Sequence, residues 1–121
     1  MIQFQKLPFK KEQVYITSDT HYSHKNYCLG ITEWEDKSEC RDFPTLEAMN
    51  DKIIEGINQR VKKTDCLIHL GDWSFSSEAQ IYELRNRIYC ETIYLCIGNH
   101  DHKIMEKRDA QEQLLGKLFK Q

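Results

Sequence analysis

Three short apolar runs punctuate a largely polar chain, and each is followed at once by a cluster of acid, amide or imidazole groups. The runs are VYITS at 14–18, CLIHL at 66–70 and TIYLCI at 92–97. Their β-branched and aromatic residues, bounded by polar or glycine clusters, predict strands. Between them the apolar period changes. In TLEAMNDKIIEGINQRV, Leu46, Met49, Ile53, Ile57 and Val61 recur every three or four residues, which predicts one helix face with Thr45 as its N-cap. Gly56 weakens this helix without ending it. In SSEAQIYELRNRI, Ser77 and Gln80 form a capping box, and Ile81, Leu84 and Ile88 form the stripe. A third helical pattern, DAQEQLLGKLFK, follows at 109–120 with Leu114, Leu115, Leu118 and Phe119 as its apolar positions.

Strands alternating with helices predict βαβ units, hence an α/β fold with a mixed, largely parallel sheet and flanking helices. Parallel strands are usually covered on both faces, and the near-continuous apolar character of the three runs fits that. The segment 25–44 is polar and irregular apart from Trp34 and Phe43. It reads as an excursion over the face where the strands end.

Composition then narrows the function classes. A length of 121 residues is one domain's worth. With 17 Lys and Arg against 19 Asp and Glu, the formal charge is -2, so no overall positive field draws a nucleic-acid backbone or an anionic membrane. Nucleic acid enters only as a possible substrate. The start lacks an apolar signal region, and no apolar run approaches the roughly 18 residues of a membrane span, so a soluble, cytoplasmic protein without membrane contact is expected. The five cysteines, Cys28, Cys40, Cys66, Cys90 and Cys96, are odd in number and form no C-x-x-C pair. They are expected to be reduced thiols, three of them small core residues in strands.

The chemistry lies in the clusters behind the strands: SDTHYSH, GDWSF and GNHDH. In an open parallel sheet, ligands bind beyond the carboxyl ends of the strands, so the three clusters should converge. Asp19 and His21 are two apart, which in extended chain puts both side chains on one side. Asp72 follows a glycine that lets backbone approach closely, and its two oxygens could bridge two cations. Asn99 offers a neutral carbonyl oxygen to a second cation. Mixed carboxylate and imidazole ligands suit Zn, Mn, Fe or Ni better than Mg or Ca. Two such cations would activate a water, and His100 is placed to protonate a departing alkoxide. His69, inside its strand, is expected to be packed, and His102 to lie on the surface.

In this order the motifs SDTHYSH, LGDWSF and GNHD resemble the first three motifs of the calcineurin-like metallophosphoesterases, particularly their small bacterial and phage branch. The resemblance spans Val14 to about Lys103. It implies that Asp19, His21 and Asp72 bind a first metal, that Asp72 bridges to a second held by Asn99, and that His100 is the general acid. It also implies that Asp101 holds the turn or orients His100, while His24 in the loop after the first motif could meet substrate. The implied fold is the N-terminal half of an αββα sandwich. The implied activity is hydrolysis of a phosphomonoester or phosphodiester with two divalent metal ions.

In that family a later histidine and a closing G-H-x-H supply three further ligands, and no histidine follows His102 here. A single, C-terminally truncated domain over 1–121 is therefore expected. Its open sheet face would be met by a homodimer or by a complementing C-terminal chain. The competing expectation is a non-catalytic metal-binding or interaction protein.

Overall fold

The three apolar runs all become strands. A computed structural model describes residues 6–74 and 78–96 of the chain. The elements are β1 (Val14–Thr17), α1 (Leu46–Arg60), β2 (Cys66–His69), α2 (Glu78–Asn86) and β3 (Thr92–Leu95), with single 3-10 turns at Lys11–Gln13 and Lys25–Tyr27. The sheet order is β1-β2-β3 and both pairings are parallel. In register, Val14, Cys66 and Thr92 lie in one row, and Thr17, His69 and Leu95 in another. All three strands thus end at the same level, which delivers whatever follows them to one edge.

Helix α1 starts where its cap chemistry dictates. The Thr45 hydroxyl accepts a hydrogen bond from the Ala48 N–H at 3.1 Å, satisfying one of the donors that a helix start leaves without a partner. Its buried face differs by one position from the expected stripe. Met49, Asn50 and Ile54 are the buried residues, whereas Ile53 and Ile57 are only partly covered. The polar Asn50 turns inward because it bonds to the loop after β1, as described below. Helix α2 carries Ile81 and Leu84 of its stripe, and Ile88 lies two residues beyond its end; all three are buried. The Ser77 side of its expected capping box, Ile97 and the helical pattern at 109–120 lie outside the described residues.

One core holds these elements together. Ile54 of α1, Val61 at its C-cap, and Ile81, Leu84 and Ile88 around α2 pack with Leu67, Ile93 and Leu95 of the sheet. Tyr22 and Trp73, from the loops after β1 and β2, complete the same cluster. Those two aromatic residues are fully buried, so burying them anchors both loops to the core. The strands are not covered equally on their two faces. Ile16, on the opposite side of β1 from Tyr15, is 66% exposed, because β1 is an edge strand and the core cluster lies on the other face.

Three cysteines are fully buried, but not the three that strands alone would suggest. Cys66 sits in β2, Cys28 in the 25–44 excursion and Cys90 between α2 and β3, while Cys96 is exposed. All five are free thiols.

Candidate metal centre

The loops after β1 and β2 run side by side as an irregular continuation of the sheet. Leu70 N–H donates to Thr17 O, Asp19 N–H to Gly71 O, His21 N–H to Asp72 O and Tyr22 N–H to Trp73 O, at 2.9–3.1 Å. An isolated parallel bridge between Tyr22 and Ser74 closes the run. Main-chain bonds on either side therefore fix the separation of Asp19 and His21 from Asp72, before any side chain is considered.

Backbone conformation then aims the side chains. Asp19, His21 and Asp72 have φ of 54°, 47° and 54°, in the left-handed region, as does Ser23 at 63°. Asp and His are among the residues that tolerate it best, yet the cluster of such residues is a local store of strain. The extended geometry expected for Asp19 and His21 is therefore not what unites them. Both are themselves in the left-handed region, and the main-chain bonds to Gly71 and Asp72 hold the turn in which their side chains meet. Gly71, at φ 116°, allows the matching turn before Asp72.

The result is one compact ligand set. An imidazole nitrogen of His21 and one oxygen each of Asp19 and Asp72 all lie within 4.8 Å of one another. His21 Nε2 is 3.2 Å from Asp19 Oδ1 and 3.8 Å from Asp72 Oδ2, so the imidazole stands between two carboxylates. The Ser18 hydroxyl, followed by His21, holds the Asp19 carboxyl below the ordinary aspartate range. The side chain of His21 is nearly buried, that of Asp72 one-fifth exposed and that of Asp19 60% exposed, so the cluster opens to solvent through Asp19. Two anionic oxygens and an imidazole nitrogen at this spacing fit a divalent cation, whose charge would offset the repulsion between the carboxylates.

The expected metal and site residues divide into two groups. Asp19, His21 and Asp72 are brought together. His24 lies beside them, its ring stacked on that of His21 at 5.7 Å and 22°. Asn99, His100 and Asp101, together with His102, lie outside the described residues.

His69 is packed and fully buried, as expected, and its bonds define its state. Its Nδ1 accepts the Gly71 N–H at 3.1 Å, so Nε2 carries the proton and donates to the Thr20 hydroxyl at 3.0 Å. Thr20 in turn donates to Trp73 O at 2.7 Å. This neutral imidazole ties the residue before Asp72 to the residue between Asp19 and His21. Burial pushes its pKa down from 6.5 to about 4, in agreement with the tautomer that the hydrogen bonds require.

Two further supports were not legible as site residues. Arg41, from the 25–44 excursion, donates to Thr20 O at 2.6 Å and Asp19 O at 2.8 Å, and its guanidinium lies 5.5 Å from the Tyr27 ring centre. Asn50 accepts the Ser23 N–H at 2.9 Å and donates to the Ser23 hydroxyl at 3.0 Å. Both act on the turn that carries Asp19 and His21. The only signal for Arg41 in the sequence is a cation within an excursion that also carries aromatic residues, and for Asn50 there is none.

Comparison with known proteins agrees with this geometry. The family model described as calcineurin-like phosphoesterase matches residues 13–120, and the chain belongs to that family. It is 31% identical over 94 residues to the uncharacterized protein MJ1445 of Methanocaldococcus jannaschii, a match covering 74% of this chain and 47% of that protein. The chain thus spans about half the length of the curated relative it matches. No solved structure matches it. Among the described residues, no helix is long and apolar enough to cross a membrane.

Proposed function

We propose that the chain carries the metal-binding half of a phosphoester hydrolase with a dinuclear centre. The observation that supports this most is the convergence of Asp19, His21 and Asp72 beyond the ends of β1 and β2. In this reading those three residues would hold one divalent cation, and Asp72 and Asn99 would serve a second. Divalent cations bound there supply Lewis acidity, lowering the pKa of water and offsetting charge on phosphoryl oxygens.

The chain's own groups divide the remaining work. Asp19 and Asp72 place negative charge on one side of the site. His21 presents an imidazole nitrogen as a ligand, and its ring meets that of Tyr27 edge to face at 4.9 Å. In this reading His100 would give its proton to the leaving oxygen, and Asp101 would hold the turn or orient His100. The substrate is a phosphomonoester or phosphodiester, and Mn, Zn, Fe and Ni are the metals the ligand chemistry suits. A second copy of the chain, or a chain carrying further histidines, would complete the ligand set.

Hydrolysis of bis-p-nitrophenyl phosphate and p-nitrophenyl phosphate with added Mn²⁺ tests this proposal. The expected result is turnover that requires metal and is lost in Asp72→Asn. Tight Mn²⁺ binding without hydrolysis of either ester would instead favour a non-catalytic metal-binding protein.

A further inference from the structure

Metal binding does not account for the aromatic residues along the rim of the cluster. Tyr27 meets the rings of His21 and His24 at 4.9 and 4.4 Å, and Trp34 meets those of His24 and Tyr27 at 5.8 and 5.2 Å. A continuous set of rings therefore runs outward from a metal ligand to Trp34. Trp34, at its end, remains 36% exposed.

That exposure is built in. Glu33 N–H donates to Asn26 Oδ1 at 2.9 Å, and the Thr32 hydroxyl donates to Asn26 O at 2.8 Å while accepting the Trp34 N–H at 3.2 Å. Lys25 and Glu33 add an ion pair at 2.6 Å across the same turn. Three contacts thus strap the Trp34 turn to residues 25–26, a fourth closes the turn itself, and together they hold a large apolar ring partly in water. A fixed aromatic face is a stacking surface whose ordering cost is already met by the fold.

Charge indicates what would stack there. Among the described residues, two cations beside the rings are already engaged, Lys25 with Glu33 and Arg41 with the carbonyls of Asp19 and Thr20. A second anionic group on the substrate would have to compete with Glu33 at Lys25 and with two carbonyls at Arg41. A flat, uncharged ring would be matched, and base stacking on aromatic side chains tolerates every base. We propose that Trp34, backed by His24 and Tyr27, is the subsite for a nucleobase carried by the phosphoester substrate. This rests on the phosphoesterase reading of the adjacent metal cluster.

The chain has two tryptophans, Trp34 and the fully buried Trp73, so its fluorescence gives a readout independent of turnover. With excitation beyond the adenine absorption band, AMP should quench the emission saturably, whereas ribose 5-phosphate should not. By calorimetry, Trp34→Ala should bind AMP about tenfold more weakly and Trp34→Phe should keep most of the affinity. No saturable quench at millimolar AMP, equal quenching by ribose 5-phosphate, or unchanged AMP affinity in Trp34→Ala would each overturn the proposal. An AMP signal in a chain that hydrolyses no phosphoester would uphold the subsite and count against the hydrolase reading, so the two can fail separately.

Discussion

Removing the Arg41 side chain tests whether the excursion at 25–44 supports the metal cluster. Arg41→Ala deletes guanidinium bonds to two consecutive carbonyls, at 2.6 and 2.8 Å, and the cation facing Tyr27. Hydrogen bonds involving a charged group are worth about 1.5–3 kcal/mol each when buried, and the cation–π contact roughly 0.5–1 kcal/mol. Arg41 is only half-buried, so solvent screening brings the combined loss to about 2–3 kcal/mol. The loss falls on a turn in which Asp19 and His21 are already held at positive φ, each at a cost on the order of 1 kcal/mol. The turn should relax and the three ligand atoms separate. Titration calorimetry with Mn²⁺ should show an affinity about 10- to 100-fold lower, the usual scale for losing a group that supports metal ligands. Arg41→Lys should recover part of it, since an ammonium cannot reach both carbonyls with one planar fork. A folded Arg41→Ala variant whose Mn²⁺ affinity stays within about twofold would refute this account of the clamp.

Two further outcomes follow from named contacts. His69 has a folded pKa of about 4 against 6.5, so between those values the unfolded chain binds the proton and the folded one does not. Stability should be fully present above about pH 6.5 and fall as the pH drops toward 4, by about 3 kcal/mol; urea melts across this range should lose part of that slope in His69→Gln. A Cβ on Gly30 would lie 2.3 Å from the carbonyl oxygen of Pro44, which is backbone and cannot swing aside. Gly30→Ala should therefore cost roughly 1–3 kcal/mol or more and loosen the excursion that carries Arg41, read as a lower melting temperature together with weaker Mn²⁺ binding.

What the sequence revealed depended on the range of the forces involved. Thr45 was legible as a cap because its partner, the Ala48 N–H, is three residues away. The stripe of α2 was legible because burial on one face is a periodic signal. On α1 the same signal put Ile53 where Ile54 belongs, and it passed over Asn50, whose burial depends on Ser23, 27 positions earlier. The convergence of Asp19, His21 and Asp72 could be inferred because parallel strands in register must end together. The left-handed turns that produce it could not, since Asp and His adopt that conformation only when neighbouring bonds enforce it, here the ladder to Gly71, Asp72 and Trp73. Arg41 reaches its carbonyls across 21 and 22 residues, beyond any local pattern.

The central claim is that Asp19, His21 and Asp72 form one metal centre. Electron paramagnetic resonance of free Mn²⁺ during titration into the full chain tests it most directly, with Asp72→Asn and Asp19→Asn measured alongside. The wild type should take up Mn²⁺ saturably, and each variant should take it up at least tenfold more weakly. A wild type that takes up no Mn²⁺ at millimolar concentration, or variants that bind it equally well, would contradict a shared centre.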